Sequence, residues 1–411
     1  MGRLAVVALL AALVLVGAGC ENGRTSPEVE QLSVPAAPES GQPRLQVAGD
    51  SAVWLSWVAP TDSGHALRYS AFADDAWSSP RTVATGSDWF VNWADLPSVV
   101  PLPDGRAAAH YLQNNHLKSN GRMLLAYDVH ITQRSAAGAW QRAIVPHNDG
   151  TQTEHGFVSL LPWANDRLLA VWLDGRKMRT GTGDGEMTLR SAVIGPDGSV
   201  ERRDEIDGRT CECCATSAVR VEGDALVAYR DRSEGEVRDI RLARFDGEGW
   251  SPPTRLHDDD WWIEGCPVNG PALAANGERV AVAWFTAAGG TPRVRAAMST
   301  DGGRQFSDPI EVAGDRPKGR VDVAFLGGGA AAVSWLDATE DGGALRVRVI
   351  RPGAPAGPPM TLARVSTASR EVGFPKMVQH DEALYLAWVE PASGDGGTAV
   401  RGARVPVDRI R

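Results

Sequence analysis

A short strand that ends in an aromatic residue recurs seven times along this chain, and that repeat most constrains the fold. The copies end at Trp57, Tyr111, Trp172, Tyr229, Trp284, Trp335 and Trp388. Leu169, Ala170, Val171, Trp172 is one copy; Val280, Ala281, Val282, Ala283, Trp284 is another. Successive anchors are 54, 61, 57, 55, 51 and 53 residues apart. Fixed-period self-similarity of this length marks solenoids, propellers or arrays. Each copy follows another short strand and a Gly- or Asp-rich turn, such as Val219 to Val221 before Gly223 and Asp224. Each is followed by an alternating strand, such as Leu345, Val347, Val349, then a turn and a weaker strand. Four short alternating strands per unit describe a propeller blade, and helical periodicity is missing over any long window.

The chain therefore reads as all-β, a single propeller of four-stranded blades over residues 44–411, seven blades favoured and six the alternative. The first unit begins at its inner strands, and the chain ends on an outer-type strand at 399–405. That last strand is expected to complete the first blade. Pairing the N- and C-terminal strands in one blade closes the ring and removes exposed edges.

The N-terminus reads as a targeting segment. Arg3 precedes an apolar run over 4–16, which ends in Gly17, Ala18, Gly19, Cys20. Small residues before a cysteine resemble a bacterial lipobox, with residues 1–19 as signal peptide and Cys20 as the lipidated first residue. Plain secretion is the alternative. Residues 20–43, rich in Pro, Glu, Ser and Gln, read as a disordered tether. No other apolar run is long enough to span a bilayer, so acyl chains on Cys20 are the only membrane attachment expected. The expected location is the cell envelope, periplasmic or on the outer surface. The net charge of −9 argues against nucleic acid as a partner, and a monomer is expected.

Ser299, Thr300, Asp301, Gly302, Gly303, Arg304, Gln305, Phe306 fits the pattern Ser-x-Asp-x-Gly-x-x-aromatic. The Asp caps turn amides, Gly supplies positive φ, and the aromatic packs under the turn. Degenerate copies stand at Asp197-Gly198 and at Asp246, Gly247, Glu248, Gly249, Trp250. This resembles the Asp box of the sialidase-like (BNR repeat) propellers. The Cys211-Glu212-Cys213-Cys214 run, Tyr229 to Ser233 and Gly265 to Pro271 resemble a bacterial lipoprotein group of that superfamily. The resemblance implies a glycan-related ligand and, for an enzyme, exo-sialidase-like glycoside hydrolysis. Classical sialidases have six blades and a Phe/Tyr-Arg-Ile-Pro motif. Here there are seven units, and Gln42-Pro43-Arg44-Leu45 is at best a remnant of that motif.

Equal offsets in a propeller become neighbours around one channel mouth. Trp93, Cys211, Cys266 and Arg370 each lie 18 residues before an anchor, and Cys214 and Arg320 lie 15 before. Asp174, Asp231, Asp337 and Glu390 lie two residues after. The rim supplies acids for glycoside chemistry in Asp174, Asp231, Asp322 and Glu371, provided two stand roughly 5–9 Å apart. Candidate ligand contacts are Arg176, Arg230, Arg232, Arg320, Arg370, Asn269, Trp93 and His155, because convergent guanidinium groups bind carboxylates and aromatic faces stack on sugars. Mutual Arg/Asp pairing is the competing reading.

Four cysteines remain after Cys20: Cys211, Cys213, Cys214 and Cys266. An even number in an exported chain suggests two disulfides. Three closely spaced thiols plus a fourth would also suit copper(I) or zinc, and free redox thiols are a third reading. No cofactor is required. Three functions follow: a propeller that binds and could hydrolyse an acidic glycan or other anionic ligand; a non-catalytic envelope binding propeller; and a metal- or redox-linked periplasmic protein. The absent Arg-Ile-Pro motif favours binding over hydrolysis, and the polar rim favours a small ligand.

Overall fold

The computed structural model describes residues 29–49, 52–116, 118–119, 122–123, 125–178, 185–391 and 397–410. The signal segment and Cys20 lie outside the described residues, none of which forms a helix long and apolar enough to cross a membrane. The described residues form a seven-bladed propeller of antiparallel sheets. Blade 1 starts with Gly41–Ala48 innermost, followed by Ala52–Thr61 and Gly64–Ala73; its outer edge is split between Ala76–Trp77 and Arg81–Gly86. Blade 2 has Ser98–Pro101, Ala107–Asn114 and Tyr127–Arg134, with isolated bridges from Ile144 and Trp140 at its edge. Blade 3 comprises His155–Pro162, Leu168–Met178, Gly185–Ile194 and Val200–Asp207. Blade 4 comprises Ser217–Val221, Asp224–Arg230, Ile240–Phe245 and Thr254–Arg255. Blade 5 comprises Ala272–Asn276, Arg279–Thr286, Arg293–Ser299 and Ile310–Ala313. Blade 6 comprises Pro317–Phe325, Ala331–Thr339, Gly342–Ile350 and Met360–Val365.

All seven aromatic anchors fall in the second strand of their blade, and six of them are buried. The strand core on either side is Val, Leu and Ala at close to zero exposure. Small β-branched and aliphatic residues suit a strand covered on both faces by neighbouring blades, and each buried indole or phenol ring removes a large apolar area from water. Tyr111 is half-buried and stacks between Trp89 (4.7 Å) and His130 (5.4 Å).

The N- and C-terminal strands pair in one blade as expected, but that blade is the seventh and not the first. The C-terminal strand Thr398–Pro406 is the third strand of blade 7, beside Lys376–His380 and Ala383–Pro391, and does not complete blade 1. The fourth strand of blade 7 is the N-terminal Glu30–Leu32, antiparallel to it with Glu30 opposite Arg404 and Leu32 opposite Gly402. The segment expected to be a tether through residue 43 is therefore ordered from its middle. Leu32, Val34 and Ala36 alternate and pack on the core of blades 1 and 7. Arg404 joins Glu30 to Asp75 of blade 1, at 2.6 and 2.5 Å.

The Asp box folds as its chemistry requires. Asp301 Oδ1 accepts the amides of Arg304 and Gln305, both at 3.0 Å, and Phe306 packs below them. Gly303 has φ +78°, and a Cβ there would stand 2.8 Å from Leu226. Asp246 repeats the device in blade 4, accepting the amides of Glu248 and Gly249 at 2.8 Å each.

A second backbone device recurs where the inner strands begin. Gln42, Phe157, Arg320 and Gly373 all have positive φ, and each lies fifteen residues before its anchor. In blades 1, 3 and 6 the kink coincides with a bulge in the inner strand. Bulges re-aim side chains at a sheet's rim, which here is the channel mouth. Deleting the chain up to Ser33 leaves Thr398–Pro406 as an open edge. The expected result is a thermal midpoint lower by about 5 °C or more and concentration-dependent association in sedimentation; unchanged behaviour would mean that the terminal strand is not what seals the ring.

Candidate functional site

The innermost strands of all seven blades line one axial cavity of about 470 Å³. Its wall carries Arg44, Asp95, Asp322 and Lys376. Asp322 accepts the amides of Val323 (3.1 Å) and Met377 (2.8 Å), and it offsets the burial that pulls the Lys376 ammonium down. Asp322 is thus a channel-wall carboxylate and not a rim acid.

One end of this channel is encircled by a chain of contacts. Trp93 of blade 2 stacks on Phe374 at 5.7 Å. The Arg320 guanidinium lies 5.1 Å from the Trp93 ring centre and that of Arg370 lies 5.9 Å from it. Arg320 also donates from Nη1 to the carbonyls of Ser369 (2.7 Å) and Gly373 (3.1 Å). Its amide donates to Asn269 Oδ1 at 2.8 Å, and the Asn269 amide donates to Cys214 Sγ at 3.4 Å. Cys211 Sγ is 3.4 Å from Cys214 Sγ and 3.9 Å from Cys213 Sγ. Cys213, Trp93, Val268 and Phe374 pack on one apolar cluster, which closes the circle. Trp93, Asn269, Arg320, Arg370 and the cysteines therefore converge as their sequence offsets implied.

Several expected site residues are elsewhere. Arg230 is buried and fully used: it donates to the carbonyls of Asn269 (2.9 Å), Arg238 (2.6 Å) and Phe285 (2.7 Å), and lies 4.7 Å from the Trp261 ring. It ties blade 4 to blade 5 and leaves the ligand set. Arg232 is paired with Glu212 and with Glu236 (2.9 Å). Asp231 pairs with Arg241 at 2.8 Å, and burial pushes its carboxyl up to about 6. Asp174 accepts from Trp172 (2.8 Å) and from Arg176 (2.7 Å) in the crevice between blades 2 and 3. His155 is wholly buried there, 3.2 Å from Asp149 and stacked 3.8 Å from His147. Glu371 is exposed on the short turn Arg370–Val372. Asp174 and Asp231 are each engaged by an arginine, Asp322 by channel-wall amides, and Glu371 faces solvent.

Two acids outside that list stand near one another, Asp95 on the channel wall and Glu154 within its electrostatic reach. Burial raises the Asp95 carboxyl to about 7, helped by the Glu154 charge and opposed by the Phe157 amide (2.8 Å) and Arg44. Its second oxygen has no hydrogen-bond partner among the described residues. Burial and then Glu212 raise Glu154 to about 7 as well. Tyr127 stands beside both, its phenol raised by burial and by these carboxyls. Gly156 is required for this approach, since a Cβ there would lie 2.1 Å from Asp95 Oδ2 and 2.8 Å from Tyr127 Cε2. Asp95 was two residues from Trp93 in the sequence, but nothing in its local pattern distinguished it from a turn Asp.

Among the described residues three groups could hold a metal ion: Cys211, Cys213 and Cys214 at the mouth, and in the blade 2–3 crevice Asp128, His147 and His155 or Asp149, His155 and Asp174, which share His155. In the crevice, Arg176 already neutralises Asp149 (3.0 Å) and Asp174. At the mouth, the neighbouring thiols and then Arg238 hold Cys211 well below the usual thiol range.

No family model matches the sequence, and no curated protein matches it. Solved structures match the fold. A protein of unknown function from Dyadobacter fermentans DSM 18053 aligns with TM-score 0.53 and 14% identity over 93% of this chain and 98% of its own. The polysaccharide lyase Uly1 aligns with TM-score 0.53 and 10% identity over 92% and 91%. The GH93 α-L-arabinofuranosidase of Fusarium graminearum, in complex with arabinobiose, aligns at 0.48 with 13% identity over 94% and 99%. At such identities the likeness is one of fold.

Arg230→Met leaves three carbonyls without their donor, and a loss of roughly 3 kcal/mol in denaturant unfolding is expected; unchanged stability with weakened ligand binding would return Arg230 to the site. Asp95 gives a pH test. Its folded value lies above the ordinary carboxyl value, so the folded state holds more protons than the unfolded state between about pH 4 and pH 7. Stability should fall as pH rises through that window, and Asp95→Asn should make the fall shallower, the remainder coming from Glu154 and Asp231, which are raised in the same sense. A variant with the same slope as the parent chain would show that Asp95 does not titrate there.

Proposed function

We propose that this chain is a lipid-anchored envelope propeller that captures an acidic glycan, or another small anionic ligand, at the mouth built by Trp93, Arg320 and Arg370. The observation that carries this reading is two guanidinium groups on one indole with no carboxylate in ion-pair reach among the described residues. Every other buried or half-buried arginine of the mouth is paired or spent on backbone carbonyls. Burial, and then Arg370, pull the Arg320 guanidinium down to about 10, a sign of cationic charge held without compensation. An arriving carboxylate or sulfate would supply that compensation through paired N–H donors. The flat faces of Trp93 and Phe374 would take the apolar face of a sugar ring. Uly1, whose fold this chain shares, acts on a polysaccharide, and this supports a glycan over a peptide.

One observation favours a catalytic role. Asp95 on the channel wall and Glu154, both raised to about 7, stand beside Tyr127. Groups poised near neutrality serve proton transfer, and cations on a uronate carboxylate would acidify its neighbouring carbon. This supports proton abstraction over the carboxylate-pair hydrolysis first expected.

Arg370 is exposed and its ring contact is with Trp93 alone, so it can be removed without touching the core. Arg370→Ala is expected to weaken binding of uronate oligosaccharides about 10-fold in calorimetry with an unchanged melting point. Trp93→Ala should do the same, and Glu371→Gln should not weaken binding. If uronate, sialate and sulfated oligosaccharides all fail to bind the parent chain, the anion pocket is wrong. A rise in ultraviolet absorbance from unsaturated product, dependent on Glu154 and Tyr127, would mark the catalytic version.

A further inference from the structure

The cysteine knot at the junction of blades 4 and 5 has no part in that reading. Three thiols of one stretch meet there, and Cys266 of a second stretch reaches the Glu212 that lies among them. Cys211 Sγ lies 3.4 Å from Cys214 Sγ and 3.9 Å from Cys213 Sγ, and all three lie within 4.8 Å of one another. Cys266 stands exposed at the outer edge, its Sγ 3.8 Å from a Glu212 oxygen. Sulfurs bound to one ion at about 2.3 Å are separated by about 3.8 Å when tetrahedral. The two sulfur–sulfur distances bracket that value, and both exceed the ~2.05 Å of a disulfide.

The surroundings also fit a thiolate cluster. Cys211 and Cys214 are buried, so negative sulfur there needs nearby positive charge or amide donors. Arg238 Nη1 points at Cys211 Sγ from 3.2 Å, and the Asn269 amide points at Cys214 Sγ. Such N–H to sulfur contacts orient and support the ligands of metal sites. The amide is aimed by Val268, which sits at φ +48°, a genuine outlier for a β-branched residue and of the kind found at functional sites. Arg238 cannot neutralise the sulfurs alone, because it is already paired with Glu212 (2.9 Å) and Glu236 (2.9 Å). Arg232 with Glu212 and Glu236 completes a charge-balanced set, which leaves thiolate charge uncompensated.

We propose that Cys211, Cys213 and Cys214, with Cys266 closing the fourth position, bind one d10 metal ion, zinc(II) or copper(I), at the rim of the channel. Each ligating thiol gives its proton to solvent as its sulfur binds the ion. The ion would brace the loop that carries Asn269, and through it Arg320, but the site stands without the anion pocket.

The test uses the full chain with Cys20→Ser, so that only these four thiols remain, purified under reductant without chelator. One equivalent of zinc or copper is expected by elemental analysis and native mass spectrometry. Cobalt(II) loading should give intense thiolate-to-metal absorption in the near ultraviolet and tetrahedral bands in the visible. Competition with a copper(I)-specific chelator distinguishes the two metals. Cys213→Ser should lower affinity about 100-fold or more, and Arg238→Gln about 10-fold. Cys266→Ser should shift the cobalt spectrum away from the four-sulfur pattern. Substoichiometric metal, a cobalt spectrum without thiolate absorption, or an affinity unchanged in Cys213→Ser would overturn the proposal. So would peptide mapping that finds the four cysteines disulfide-bonded in protein isolated from the envelope. The cobalt spectrum of the parent chain decides the matter even where a variant fails to fold.

Discussion

Everything at the channel mouth depends on three residues at the far end of the chain. Glu30–Leu32 pair with Thr398–Pro406 and turn an open stack of seven sheets into a ring. Without that pairing, blade 7 would have a free edge, and blades 1 and 7 would be joined by side-chain packing and by the bonds of Thr398 to Glu39 and Ser40. The mouth is assembled from the inner-strand loops of blades 2, 4, 5, 6 and 7, with Glu154 from blade 3. No two of those loops are local in sequence. Their spacing is fixed by ring closure, so local stability and site geometry have the same origin.

Within the ring, the aim of the side chains comes from strain that the blades tolerate. A left-handed residue fifteen positions before the anchor kinks each of four inner strands. The cost is of order 1–3 kcal/mol for each non-Gly residue, and it persists because the strands on either side are held by the ladder. The return is local: Gln42 donates to the Asp95 carbonyl (3.2 Å), the Phe157 amide reaches Asp95, and Arg320 bridges Asn269 to Ser369. The same device thus both seals the mouth with backbone hydrogen bonds and presents charge to it.

The repeat made the architecture legible, because a buried aromatic at a fixed place in each blade leaves a mark in composition as well as spacing. Equal offsets likewise placed Trp93, Cys211, Cys214, Arg320 and Arg370 together before any geometry was known. What stayed hidden follows from two physical facts. First, a short edge strand needs few residues: the Leu32, Val34, Ala36 alternation is overshadowed by the Pro and Glu around it, so the segment read as a tether. Second, a polar residue near a rim does not reveal what it donates to. Arg230 and Arg320 have equivalent chemistry in the sequence, yet one is consumed by three carbonyls and the other keeps donors free. Asp95 and Glu154 were passed over because their raised affinity for protons comes from burial by neighbours distant in the chain.

The distribution of charge separates binding from hydrolysis more sharply than any motif. Glycoside hydrolysis through a carboxylate pair needs one acid held protonated and another held ionised across a sugar. Here the acids expected to do this are dispersed: Asp174 is neutralised by Arg176, Asp231 by Arg241, Asp322 is bonded to channel-wall amides, and Glu371 points to solvent. Asp95 and Glu154 are both pushed up by burial. They can store or pass a proton but cannot divide into acid and nucleophile. Opposite them stand cations that can hold an anion in place. In the proposed reading such a site would recognise negative charge first, and any added chemistry would start from a proton next to that charge.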